Sequence, residues 1–220
     1  MKTTLLFLSV FLSASLFGQQ MTYVPDDNFE EFLENTDFDP NWMPDDSVET
    51  SMLESLLEFS SEGFSDYIQD FRGLEAAVNI ESLSITNYEF LGLNLEPLPT
   101  LHCPNLTYVE LWNSWFPGNL DLSHCPNIEY LDMQGTVFTG LNVDGLTSLT
   151  FIEAYGTDIY ELDVSSCSAL TTLVIDENIN LSCLNLANGN NENFILLTYS
   201  SGGNLSCVTV DDPIWANENW

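Results

Sequence analysis

Four stretches of the chain decide how it folds: Asn105-Leu-Thr-Tyr-Val-Glu-Leu111, Asn127-Ile-Glu-Tyr-Leu-Asp-Met133, Ser148-Leu-Thr-Phe-Ile-Glu-Ala154 and Ala169-Leu-Thr-Thr-Leu-Val-Ile175. Each carries apolar residues at its second, fifth and seventh places. The first of these, Leu106, Ile128, Leu149 and Leu170, recur at intervals of 22, 21 and 21 residues. Self-similarity at a fixed period of this size marks a stacked-coil architecture. Looser copies begin at Ile80 and Phe194.

Each unit also holds a second apolar pair: Leu120 and Leu122, Leu141 and Val143, Leu162 and Val164, Leu184 and Leu186, Val208 and Val210. Two short strands per coil are therefore expected. The residues between them tolerate tight turns, as in Gly135-Thr136 and Gly156-Thr157-Asp158. A coil of about 21 residues has no room for a long helix. Its apolar edge can be covered only by the next coil, so stacking creates the core. About six coils are expected.

The flanks differ from the repeats. Residues 1–18 read as a secretory signal, with Lys2 at the positive start, Leu5 to Phe17 as the apolar stretch, and cleavage near Gly18 or Gln19. No other segment approaches the roughly 20 apolar residues needed to cross a bilayer. An exported protein without membrane insertion is expected. In Pro25 to Glu34, Asp26 or Asp27 can cap a short helix whose Phe29, Phe32 and Leu33 share one face and cover the open end of the stack. Residues 37–65 are acidic and irregular, with Leu57 and Phe59 as a degenerate coil, and Trp215 and Trp220 can close the far end. The expected organisation is a signal peptide over 1–18, an N-terminal cap over 19–65, repeats over 66–207 and a C-terminal cap over 208–220.

These features together resemble the secreted leucine-rich-repeat proteins of marine and soil Bacteroidetes, flavobacteria in particular. Tyr23-Val-Pro-Asp-Asp-Asn-Phe-Glu-Glu-Phe-Leu-Glu34 is similar to that family's opening segment. Ile68-Gln-Asp-Phe-Arg-Gly-Leu-Glu75 is similar to its lead-in to the repeats, and Asn204-Leu-Ser-Cys-Val-Thr-Val-Asp-Asp212 with Asn217-Glu-Asn-Trp220 to its closing motif. The resemblance implies an α/β-type leucine-rich-repeat solenoid, right-handed, of mostly short parallel strands and loops with a short N-terminal capping helix. It also implies display at or beyond the cell surface in a recognition role. Relatives continue past the closing tryptophan to another cysteine and a C-terminal sorting domain, whereas this chain stops at Trp220. The mode of surface attachment, and whether this is a fragment of a longer protein, stay open.

Charge limits the partners. The chain has 34 acidic residues against two basic ones, Lys2 and Arg72. Such a surface repels phosphates and anionic lipids, so nucleic acid is not an expected partner and a cationic one is favoured. Side chains alternate along a strand, which places Tyr108, Tyr130 and Phe151 in one outward column, Glu110, Asp132 and Glu153 in the next, and Trp112, Gln134 and Tyr155 in a third. Coils lie about 4.8 Å apart, so the aromatics should stack beside a row of carboxylates on the concave face. That strip suits a protein or a glycan ligand.

Cysteines fall in repeat-related places. Cys183 and Cys207 sit in twin Asn-Leu-Ser-Cys motifs and form the first expected disulfide; Cys103 with Cys125 is the second. The alternative is a ladder of small buried thiols. The repeated His-Cys-Pro at His102 and His124 has a metal reading, but repetition explains the spacing and zinc is not expected. Asp37, Asp39, Asn41 and Asp45, with Glu49 beyond, follow the rhythm of a calcium loop. Trp42 replaces its turn glycine and Val48 holds its closing place, which leaves a looser calcium site against a solvated acidic loop.

No catalytic constellation is present. The two histidines are explained by the repeat, so a nucleophile would lack a dedicated base. The expected function is binding without catalysis and without a resident cofactor. The competing reading is a structural spacer, or a piece of a larger cell-surface adhesin, stabilised by calcium.

Overall fold

The computed structural model describes residues 19–34, 43–61, 68–86, 96–200 and 205–220. The signal segment and Asp37, Asp39 and Asn41 of the acidic loop lie outside them. The chain opens with β1 (Met21–Tyr23), α1 (Asp27–Glu34), β2 (Ser47–Glu49) and α2 (Thr50–Glu54). The coils follow: β3 (Glu58–Ser60), β4 (Ser82–Thr86), β5 (Tyr108–Trp112), β6 (Asn119–Asp121), β7 (Tyr130–Asp132), β8 (Gly140–Asn142), β9 (Phe151–Glu153), β10 (Glu161–Asp163), β11 (Thr172–Val174), β12 (Cys183–Asn185), β13 (Leu196–Thr198) and β14 (Cys207–Thr209). A last helix, α3 (Pro213–Asn219), ends the chain.

Every strand among the coils pairs in parallel with its counterpart one coil away. The main sheet has seven strands in the order β13-β11-β9-β7-β5-β4-β3, and the second apolar pairs form the shorter sheets β6-β8 and β10-β12-β14. Register follows the repeat: Leu83, Val109, Leu131, Ile152, Leu173 and Leu197 lie side by side. This is a parallel-strand solenoid of about six turns.

The core is a set of columns running down the stack. Leu106, Ile128, Leu149 and Leu170 are fully buried, as are Val109, Leu131, Ile152 and Leu173. Each such side chain contributes roughly 1.5–3 kcal/mol of burial against the cost of ordering it. Phenylalanines fill the N-terminal half: Phe29 meets Phe59 edge-on at 5.6 Å, Phe71 lies 6.1 Å from Phe116, and Phe116 stacks on Phe138. Further along, Ile159 and Leu181 take the same place, also buried.

One column inside this core is polar. Ser114, Thr136, Thr157 and Asn178 are each no more than 1% exposed. Thr136 and Thr157 lie in the expected tight turns, with their side chains pointing inward. The turns themselves need left-handed backbone, supplied by Asn113, Gly135, Gly156 and Glu177 one place earlier in each coil. That conformation sends the following residue into the core, where Ser114, Thr136 and Asn178 bond backbone carbonyls and Thr157 bonds the Asn178 amide oxygen.

The N-terminal cap is fastened by one carboxylate. Asp26 Oδ1 accepts the backbone N–H groups of Asn28 and Phe29, capping α1, while Oδ2 accepts those of Gln69 and Asp70 in the lead-in to the repeats. Gly73 completes the joint. Its φ is +104°, and a Cβ there would stand 2.7 Å from Val24 Cγ2. At the other end Trp220 packs edge-on against Phe194 and Trp215.

Candidate functional site

The outward face of the main sheet carries the expected strip. Parallel pairing sets Tyr108, Tyr130 and Phe151 side by side, and Glu110, Asp132 and Glu153 beside them. The third column lies past the ends of β7 and β9 but stays in step. Asn113 N–H donates to the Gln134 carbonyl at 3.0 Å and Gly135 N–H to that of Tyr155 at 2.8 Å. All eight candidate ligand-binding residues therefore occupy one face.

The aromatic column differs from a flat platform. Tyr108 and Tyr130 are parallel to within 3° with centroids 4.7 Å apart, and Tyr130 and Phe151 to within 5° at 4.5 Å. Both faces of Tyr130 are thus covered by its neighbours. Tyr108 and Phe151 end the stack, next to Ser82 and Thr172 on the neighbouring strands.

The carboxylate row is partly withdrawn from water. Asp132 is 5% exposed; its Oδ1 accepts the Gln134 N–H at 3.0 Å and its Oδ2 the Tyr130 hydroxyl at 3.4 Å. Glu110 accepts the Ser84 hydroxyl at 2.9 Å. Burial, then the charges of Asp132 and Asp176, raise the Glu153 carboxyl above its usual range. Burial and the neighbouring carboxylates likewise raise the Tyr108 phenol, and push that of Tyr130 up to about 12. No cation balances the row. Arg72 is the only lysine or arginine among the described residues, and it is committed elsewhere: its Nε donates to Asp70 at 2.7 Å and its guanidinium lies over the Tyr23 ring. Burial alone would raise Asp70, but the bonds from Arg72 outweigh it and hold that carboxyl low.

At the edge of the strip, the indole Nε1 of Trp112 is buried without a hydrogen-bond partner, as is Thr86 Oγ1 on the neighbouring strand.

The cysteines divide into two groups. Cys183 and Cys207 form a disulfide, with Cα atoms 4.7 Å apart on paired strands β12 and β14. Cys103 and Cys125 do not form the second expected bridge. Both are fully buried free thiols, and the Cys125 sulfur instead accepts the Cys103 backbone N–H at 3.4 Å while Cys103 Sγ is held on the Ala77 carbonyl. Cys167 continues this ladder two coils on, and burial pushes its thiol up to about 11. Such thiols are inert.

Of the acidic loop, Asp45 accepts the Ser47 hydroxyl and Glu49 the Gln19 amide. Among the described residues one acidic trio, Asp27, Glu30 and Asp46, has carboxylate oxygens within 4.8 Å of one another. Glu30 is 1% exposed, and its two oxygens take the backbone N–H groups of Asp45 and Asp46, each at 3.0 Å. Burial raises its carboxyl, and these two bonds offset part of that rise. Its role here is to hold the loop against α1.

No protein-family profile and no curated protein matches the chain. Among solved structures, the functional domain of InlJ from Listeria monocytogenes, described as including a cysteine ladder, superposes with a TM-score of 0.55 at 22% identity. The match covers 77% of this chain and 38% of that one. An internalin C2 from strain 4b F2365 of the same species aligns at 17% identity over 86% of this chain and 94% of its own, with a TM-score of 0.37. The first likeness agrees with the strand register in making the fold a leucine-rich-repeat solenoid. Among the described residues no helix is long and apolar enough to cross a membrane.

Proposed function

We propose that this is an exported leucine-rich-repeat module that binds, without catalysis, a protein partner bearing basic side chains. The surface is the strip formed by Tyr108, Glu110, Trp112, Tyr130, Asp132, Phe151, Glu153 and Tyr155. One observation carries the reading: three carboxylates in register on one sheet face have no lysine or arginine of their own among the described residues. A partner's lysines or arginines would supply the cation, and a guanidinium could also lie against Tyr108 or Phe151 at the ends of the aromatic stack. A protein is favoured over a glycan because sugars stack on ring faces, and those of Tyr130 are occupied.

The probe is a short oligolysine peptide, with an oligoglutamate and a neutral oligosaccharide alongside, followed by amide chemical shifts of residues 19–220. Oligolysine is expected to perturb β5, β7 and β9 first. Glu110→Gln with Glu153→Gln should weaken it by about tenfold, roughly 1.4 kcal/mol, whereas Glu81→Gln with Glu129→Gln should change it little. Equal losses from both pairs would mean diffuse attraction with no site, and a response to the oligosaccharide alone would replace the protein partner with a glycan.

A further inference from the structure

We propose that His102 and His124, whose spacing in the sequence alone gave no reason to expect zinc, together hold a divalent first-row transition-metal ion, Cu2+, Ni2+ or Zn2+, on the outside of the solenoid. The two residues occupy the same place on adjacent coils. Each immediately precedes a fully buried cysteine of the ladder, which fixes their backbones one coil apart. Both side chains are exposed, with ring centroids 4.5 Å apart at 65°. Two imidazole rings are thus side by side on the stack before any ion arrives.

The surroundings of His124 supply what a metal-ligating imidazole needs: one nitrogen held by an acceptor, the other free of its proton. Ser123 Oγ gives its only proton to Asp121 Oδ1 at 2.7 Å. What it turns towards His124 Nδ1, 3.3 Å away, is therefore a lone pair. Nδ1 keeps the proton and Nε2 presents the donor electrons. Asp121 is itself braced by the Ser123 backbone N–H and the Asn142 amide. This relay fixes the ring for an ion outside the coil.

Imidazole nitrogen selects copper, nickel and zinc over calcium and magnesium, which prefer oxygen. A net charge of −32 raises the local concentration of any divalent cation at the surface. Cys103 and Cys125 take no part, since they are fully buried and bonded to backbone. Two imidazoles and solvent complete the site.

The test titrates residues 19–220 with Ni2+ in a large excess of Mg2+, which occupies the carboxylates. A single site is expected, weakened at least about tenfold by His102→Ala and by His124→Ala alike. The electron paramagnetic resonance spectrum of the Cu2+ form should show two nitrogen ligands. An unchanged Ni2+ isotherm in the double variant, or a Cu2+ spectrum with one nitrogen or none, overturns the proposal. The spectrum is read on the unaltered protein, so it holds whatever the variants do to folding.

Discussion

The side-chain oxygen of Asn178 receives the hydroxyl of Thr157 at 2.6 Å and its backbone N–H at 3.0 Å. From the same amide, the nitrogen donates to the carbonyls of Ala154 and Ile175 at 2.7 and 2.9 Å. One side chain, 1% exposed, therefore satisfies four groups from two adjacent coils. Asn178→Ala would strand all four in a dry interior. A loss of roughly 2–4 kcal/mol is expected by urea unfolding, and a fall in Tm of at least about 5 °C. A change below about 0.5 kcal/mol would show that water replaces the amide.

Asp26 joins α1 to the first coil through four backbone N–H groups. Asp26→Ala removes a helix cap and a tertiary clasp together, so a cost of about 2 kcal/mol is expected, with faster amide exchange at Gln69 and Asp70. Asp27→Ala, next along the chain, is the comparison. It should cost less than about 0.5 kcal/mol, and equal effects would mean that charge, not the clasp, is what matters.

The disulfide closes a loop over a sequence separation of 24 residues. Cross-linking such a loop stabilises by about 3 kcal/mol. Cys207→Ser should lower the denaturation midpoint accordingly, beginning with the last coil. Thiol titration of the unfolded, unreduced protein should give three free groups, from Cys103, Cys125 and Cys167. Finding five would exclude the bridge.

Glu153 is raised by burial and by Asp132 and Asp176, so the folded chain holds its proton to higher pH than the unfolded chain does. Stability therefore falls as pH climbs through the interval between the unfolded and the folded value, and at neutral pH the ionised carboxylate is a net cost. Glu153→Gln is expected to stabilise at pH 7 by roughly 0.5 kcal/mol, or about 1–2 °C, with the gain vanishing in acid. A destabilised variant at pH 7 would show that the carboxylate is compensated locally.

The stacking was legible in the sequence because every coil repeats its apolar places, so Leu131 or Ile152 announces its neighbours. The strip was legible for a related reason, since alternation fixes which side of a strand Glu110 and Tyr130 occupy. The stacking of Tyr108, Tyr130 and Phe151 followed from the same coil spacing. The bond from the Tyr130 hydroxyl to Asp132 did not, because it depends on a rotamer that packing decides. Nor was the inward turn of Thr136 and Thr157 legible, because a threonine in a tight turn does not by itself say where its side chain points. Its recurrence in step with Ser114 and Asn178 was the available signal. The bridge at Cys103 and Cys125 fails for a similar reason, since neighbouring places permit bonding but the sulfurs turn towards backbone instead.

Arg72 has a consequence for proteolysis. Beyond residue 18 it is the only position at which trypsin or a protease of the same taste could cut. Its side chain is half exposed, but it is tied to Asp70, and the bond to be cleaved leads to Gly73, buried where the cap meets the first coil. Digestive enzymes that read basic residues would find no accessible site until the cap lets go. Peptide surveys built on trypsin would in turn find no cut anywhere between residue 73 and residue 220, and would tend to overlook this whole stretch.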